Sequence, residues 1–387
     1  TCAPTCSGQT CANTCASTCD ASCGGSEQPP ATWSATCAGT PTCQAQYTCV
    51  QTCGAQATCS RTCGGQPTCS FGAAVCPVLP PLQPILEGVP AGEIARFAVG
   101  KQAAGHLAWK ADGSEVYFAS EGEGIRSLLV DTGNIRVVTG DKGDFGPAAS
   151  PATRANDIAY LRGGQLIVIT ADGTKTQSAG LGWQFAGCVW SPGGDSIVYT
   201  STSLLSNRLG IYSVSSGSSR LLEWEKGSKA SHLVWPSGSN YFFVVADLKV
   251  SGRTFSSIMR GSSNENPSEV VTVPGSIEAL AVSPDGQVVY FISNKIIYSF
   301  DSRTGAQVVV ADKAGDALAI SPDGKWLLTN PAGIAACPTS GGKLKQIVSA
   351  PGIQGLSWSA RGQIAAVTTF GGSAEIWMFR VDDSILR

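Results

Sequence analysis

Histidine is nearly missing from this 387-residue chain: His106 and His232 are the only two. A Ser-His-Asp hydrolase therefore has few candidates for its base. No Gly-x-Ser-x-Gly elbow precedes a helical stretch, and no hydrolase-like domain follows the repeats described below. Charge is scarce as well. Asp, Glu, Lys and Arg make up 14% of the chain, against roughly 25% in ordinary soluble domains. The formal net charge is −2, so no basic patch argues for nucleic acid. No apolar run approaches the roughly 18 residues of a membrane span. No Asn-x-Ser/Thr site has an allowed middle residue, which removes conventional N-glycosylation. Cys-x-x-Cys-His, the haem-attachment signature, does not occur.

Cysteine is plentiful and uneven. Fourteen of the sixteen fall in residues 1–76, and twelve of those directly follow a threonine. One block holds Cys2, Cys6, Cys11, Cys15, Cys19 and Cys23. The other holds Cys37, Cys43, Cys49, Cys53, Cys59, Cys63, Cys69 and Cys76. This arm carries only three charges, Asp20, Glu27 and Arg61. Its sizeable apolar side chains are Trp33, Tyr47, Val50, Phe71 and Val75. Ordering a residue costs about 1–2 kcal/mol of backbone entropy. Five apolar side chains at about 1.5–3 kcal/mol each do not offset that cost over the whole arm. Disulfides, metal, glycans or a partner chain must supply the rest.

Both blocks are even in number, as closed disulfide sets would be. From Cys43 to Cys69 the separations run 6, 4, 6, 4, 6. All are even, so an extended chain places every sulfur on one face. A ladder of cross-links to a facing strand suits this repeat, and so does a short-period solenoid. Zinc is the rival reading, because Cys-x3-Cys recurs. The arm offers it no histidine, no Cys-x2-Cys and no lysine. The Thr-Cys pairs resemble those of insect disulfide-laddered antifreeze repeats. The period here differs, and ice binding is not carried over. A Thr/Ser/Pro-rich composition also suits O-glycosylated stalks. The chain begins at Thr1 rather than Met, and clustered thiols are hazardous in a reducing cytosol. Both features predict a mature secreted or cell-surface protein whose signal peptide has been removed.

Pro77, Pro80, Pro81, Pro84 and Pro90 predict a stiff linker over 77–93. Beyond it, short apolar runs alternate with Gly/Ser/Asp turns and no amphipathic helix is evident. A repeat appears when the turns are aligned: 106–120, 147–161, 188–201, 232–246, 280–293, 318–330 and 356–369. Its spacing of roughly 38–47 residues is the period of four-stranded propeller blades. Each unit reads strand, turn, strand, then a third strand ending in a second glycine turn. Ser283-Pro284-Asp285-Gly286 and Ser321-Pro322-Asp323-Gly324 resemble the turns of the TolB-like or WD40-like (PD40) β-propeller family. That resemblance spans about three quarters of the chain. It implies an all-β, seven-bladed propeller over 94–387 and says little about function. Residues 94–100 look like an outer strand without a blade, predicted to close the ring against 375–381.

Asp112-Gly113, Asp285-Gly286 and Asp323-Gly324 stand at the equivalent turn of their blades and read as turn chemistry rather than calcium ligands. His106 and His232 occupy equivalent repeat positions and read as scaffold; a metal site shared by two blades is the alternative. Trp109, Trp190, Trp235 and Trp358 share one repeat position and read as core. Cys188 and Cys337 read as buried small residues that do not pair. No catalytic set, cofactor or resident metal is expected. The leading reading is a secreted, non-enzymatic structural protein that self-assembles into a filament or surface layer through its arm. The alternative is a binding propeller for a peptide, glycan or envelope component.

Overall fold

The computed structural model describes Ile85–Leu86, residues 95–100, residues 103–381 with short interruptions, and Leu386. The chain divides into two units, Thr1–Leu82 and Gln83–Arg387. The arm and its fourteen cysteines lie outside the described residues, as does most of the 77–93 linker.

The second unit is a seven-bladed β-propeller of antiparallel, four-stranded sheets. Apart from one 3-10 turn at Ala152–Arg154, every described element is a strand. Blade 1 runs outward through Ala103–Trp109, Glu115–Ser120, Gly124–Leu129 and Ile135–Val137. Blades 2 to 5 repeat the order, with inner strands Asp144–Ala149, Gln184–Trp190, Lys229–Val234 and Ala279–Val282. In blade 6 the inner strand is Leu318–Ile320, and the outer strand Lys345–Ser349 takes a fifth, Ile85–Leu86. The segments aligned in the sequence are the inner hairpins of these blades.

Blade 7 closes the ring as the unpaired strand implies. It contributes Ile353–Trp358, Gln363–Phe370 and Ser373–Arg380, and Ala95–Gly100 becomes its outermost strand. Ala95 pairs with Met378 and Phe97 with Ile376. A bidentate Arg96–Glu375 contact, 2.8 Å at its shortest, fastens the pairing. The Arg96 guanidinium also lies 5.4 Å from the Trp377 ring centre. The two ends of the propeller thus share one sheet.

The core is divided among the seven blade interfaces. Phe243, Val245 and Ile258 of blade 4 pack on Leu280, Val289 and Phe291 of blade 5. Trp326 and Leu328 of blade 6 meet Ile364, Trp377 and Phe379 of blade 7. Strand alternation explains the arrangement: successive side chains point to opposite faces, and each face meets a different neighbouring blade. Both faces are covered, so the second strands read as continuous apolar runs, such as Phe242–Ala246, all fully or nearly fully buried.

Candidate functional site

The inner hairpins carry the geometry that shapes the axis. Ser321 Oγ donates to Asp323 Oδ1 at 2.6 Å and accepts the Lys325 and Trp326 backbone N–H groups at 3.1 and 2.9 Å. Ser283 repeats this with Asp285 at 2.6 Å and the Val288 N–H at 2.9 Å. Asp112 takes its serine from the other side: its Oδ1 accepts both the N–H and the hydroxyl of Ser114, at 2.9 and 2.5 Å. The serine hydrogen bond is the main cause that holds the Asp285 and Asp323 carboxyls below their usual range, Asp323 at about 2. Gly113, Gly286 and Gly324 sit at φ of 68°, 75° and 72°, a region costly for residues with a Cβ.

These glycines also lie where neighbouring turns approach one another. A Cβ on Gly286 would fall 2.4 Å from Ser239 Oγ in blade 4, and one on Gly324 would fall 3.2 Å from Pro284 Cδ in blade 5. Sequence reasoning saw the turn but not this contact, because nothing local signals which turn stands beside which.

Two of the tryptophans tie adjacent blades. Trp190 Nε1 donates to Ala148 O of blade 2 at 3.0 Å, and Trp109 Nε1 reaches Ser357 O of blade 7 at 3.5 Å. Trp235 instead donates to Ser239 O within its own blade at 3.0 Å. The buried Nε1 of Trp358, the fourth of the set, has no hydrogen-bond partner among the described residues. Cys188 and Cys337 are buried and unpaired. Burial pushes their thiols up to about 12 and about 11, which keeps both protonated.

The inner strands surround an axial cavity of about 590 Å³. Its walls come from blades 1 to 5 and blade 7 and contain no Asp, Glu, Lys or Arg. The two histidines face it. Counting four residues back from each turn gives His106, Gly146, Gly187, His232, Ala279, Ala317 and Gly355. Five of the seven are glycine or alanine; of these Gly146 and Gly187 line the cavity beside the imidazoles, while Ala279 is buried in the core between blades 5 and 6. The next position inward along each strand is mostly leucine, as at Leu107, Leu233, Leu280 and Leu356, with Cys188 in blade 3.

His232 occupies a bulge in its strand, between Ser231 and Val234. Its φ is 47°; the corresponding Gly146 of blade 2, in the matching bulge, has φ 61°. A non-glycine residue there costs about 1–3 kcal/mol. Both imidazoles keep an opening to the cavity while protein atoms crowd round them. That desolvation lowers both pKa values and favours the neutral rings. For His232 the Asp247 carboxylate and a hydrogen bond to the Ile277 backbone oppose the shift, and His106 adds to it. A second cavity of about 430 Å³ lies between the turns of blades 3 and 4, beside Asp195, Tyr241 and Glu265.

No family model matches the chain, and no curated protein does. Solved structures do match, and in number: 1282 chains, so the fold by itself selects no activity. One of them is hydrazine synthase from Kuenenia stuttgartiensis. It is 13% identical, with a TM-score of 0.57, and the match covers 72% of this chain and 96% of that one. At that identity the likeness concerns the fold alone.

Proposed function

We propose that this protein is a structural subunit that assembles with its own copies into an extracellular filament or surface layer. The propeller is the rigid body and the Thr-Cys arm is the connector. One observation carries the reading: the outer blade edges bear apolar side chains with no strand beside them among the described residues. Val137 of blade 1 is 65% exposed, and Val308 and Val309 of blade 5 are 59% and 57% exposed. Folded proteins usually blunt such edges with charge, proline or cover. Blade 6 supports the idea that these edges accept strands, since Ile85–Leu86 already lies on one: Ile85 pairs with Ser349 and Leu86 with Val348. The test is negative-stain microscopy of the full chain under oxidising conditions, with non-reducing gels alongside. Ordered polymers are expected. A uniform population of monomers would sink the reading.

The axial cavity favours a second reading, a binding propeller that holds a peptide or glycan at its centre. Gly187 has open space where a side chain would grow, so Gly187→Trp plugs the cavity. If that variant keeps all binding to an isolated envelope partner, the axis is not the site. Both readings are non-enzymatic. Turnover in an activity screen, lost on a point substitution in the cavity, would replace them with catalysis.

A further inference from the structure

We propose that His106 and His232 together bind a divalent transition-metal ion of the copper, nickel and zinc group in the axial cavity. This goes beyond the assembly reading and does not depend on it.

Four observations converge. The only two histidines of the chain stand at the same level of the inner strands, in blades 1 and 4 of seven, and line one cavity. The two rings are near enough that a charge on one disfavours a charge on the other. At the same level blades 2 and 3, which separate them in the ring, carry Gly146 and Gly187, both lining the cavity without a side chain. Last, His232 is kept in a backbone conformation for which blade 2 uses glycine. A scaffold residue has no need of that strain, whereas a ligand aimed at a fixed point does.

The chemistry selects the class of ion. Neutral imidazole suits copper, nickel and zinc. Calcium and magnesium require oxygen ligands, and the wall holds no carboxylate. The Ile277 backbone lies close to the His232 ring, and metal-bound histidines commonly direct their second ring nitrogen at such a backbone carbonyl. Among the described residues no cluster of three or more ligating side chains occurs. The described residues therefore supply two ligands, and water or a bound molecule completes the shell.

The experiment uses the full chain, stripped with chelator, its free thiols alkylated so that arm cysteines cannot compete. Nickel(II) is titrated calorimetrically, and copper(II) is followed by electron paramagnetic resonance. We expect one ion per chain and a copper spectrum with hyperfine coupling to two nitrogens. His106→Gln and His232→Gln should each weaken nickel binding by about tenfold or more, with unchanged circular dichroism. Gly187→His adds a third imidazole where a side chain has room, and should tighten binding by at least as much. Nickel binding of unchanged affinity in the double glutamine variant would overturn the proposal. So would an absence of nickel and copper binding below 1 mM, on the order of the weakest specific association. Polymer formation by the double variant is scored separately, so assembly and metal binding fail independently.

Discussion

At the scale of single residues, the turn serine does more than occupy a hairpin. Ser321 is 3% exposed, and its hydroxyl answers two backbone N–H groups and one carboxylate. Ser321→Ala leaves the buried Trp326 N–H without that partner. The expected cost is about 1–3 kcal/mol, read as a lower midpoint in urea. Gly324→Ala should cost about 1 kcal/mol from its positive φ, plus whatever Pro284 must yield. The histidines give a pH signature. Their folded pKa values lie below the ordinary 6.5, so the folded chain holds fewer protons than the unfolded one in that window. Stability should then rise with pH from the folded pKa up to about 6.5 and level off above it. His106→Gln should flatten this slope in thermal melts taken across the window. A steeper slope in the variant would refute the assignment.

At the scale of elements, ring closure is the critical pairing. Val99 is 1% exposed and packs with Val116 and Phe118 of blade 1 and with Ile376 of blade 7. Val99→Asp places a carboxylate in that cluster and should cost about 3 kcal/mol or more, opening blade 7 before the rest. Faster amide exchange confined at first to 373–380 and 95–100 would register it. The Arg96–Glu375 bridge matters less. Both partners keep about a third of their surface in solvent, so a double-mutant cycle should return no more than about 1 kcal/mol. The closing strand was readable because an outer-type strand stood ahead of the first complete repeat. The fifth strand of blade 6 was not. Ile85–Leu86 is two residues long between prolines, too short for any periodicity to show.

At the scale of the whole molecule, the proposed assembly rests on edges that remain apolar. Val308→Asp with Val309→Asp adds two charges to the outer strand of blade 5, where both side chains face solvent. The fold should survive with a change of about 0.5 kcal/mol or less per site, while polymer length measured by microscopy should fall sharply. Full-length polymers from this variant would show that blade 5 plays no part in the contact.

The repeat, its period, the turn residues and the strand alternation were all present in the chain itself, because each is local: turn geometry and side-chain period act over four to ten residues. The even cysteine spacing, too, is a local pattern, and it lies outside the described residues. Tertiary structure alone decided which residues meet at the axis. His106 and His232 read as two scaffold positions until the ring closed and set them on one cavity, with Gly146 and Gly187 of the intervening blades beside them. Spacing along a strand cannot foretell that meeting, since it depends on how many blades separate the two and on the closing of the circle by Ala95–Gly100.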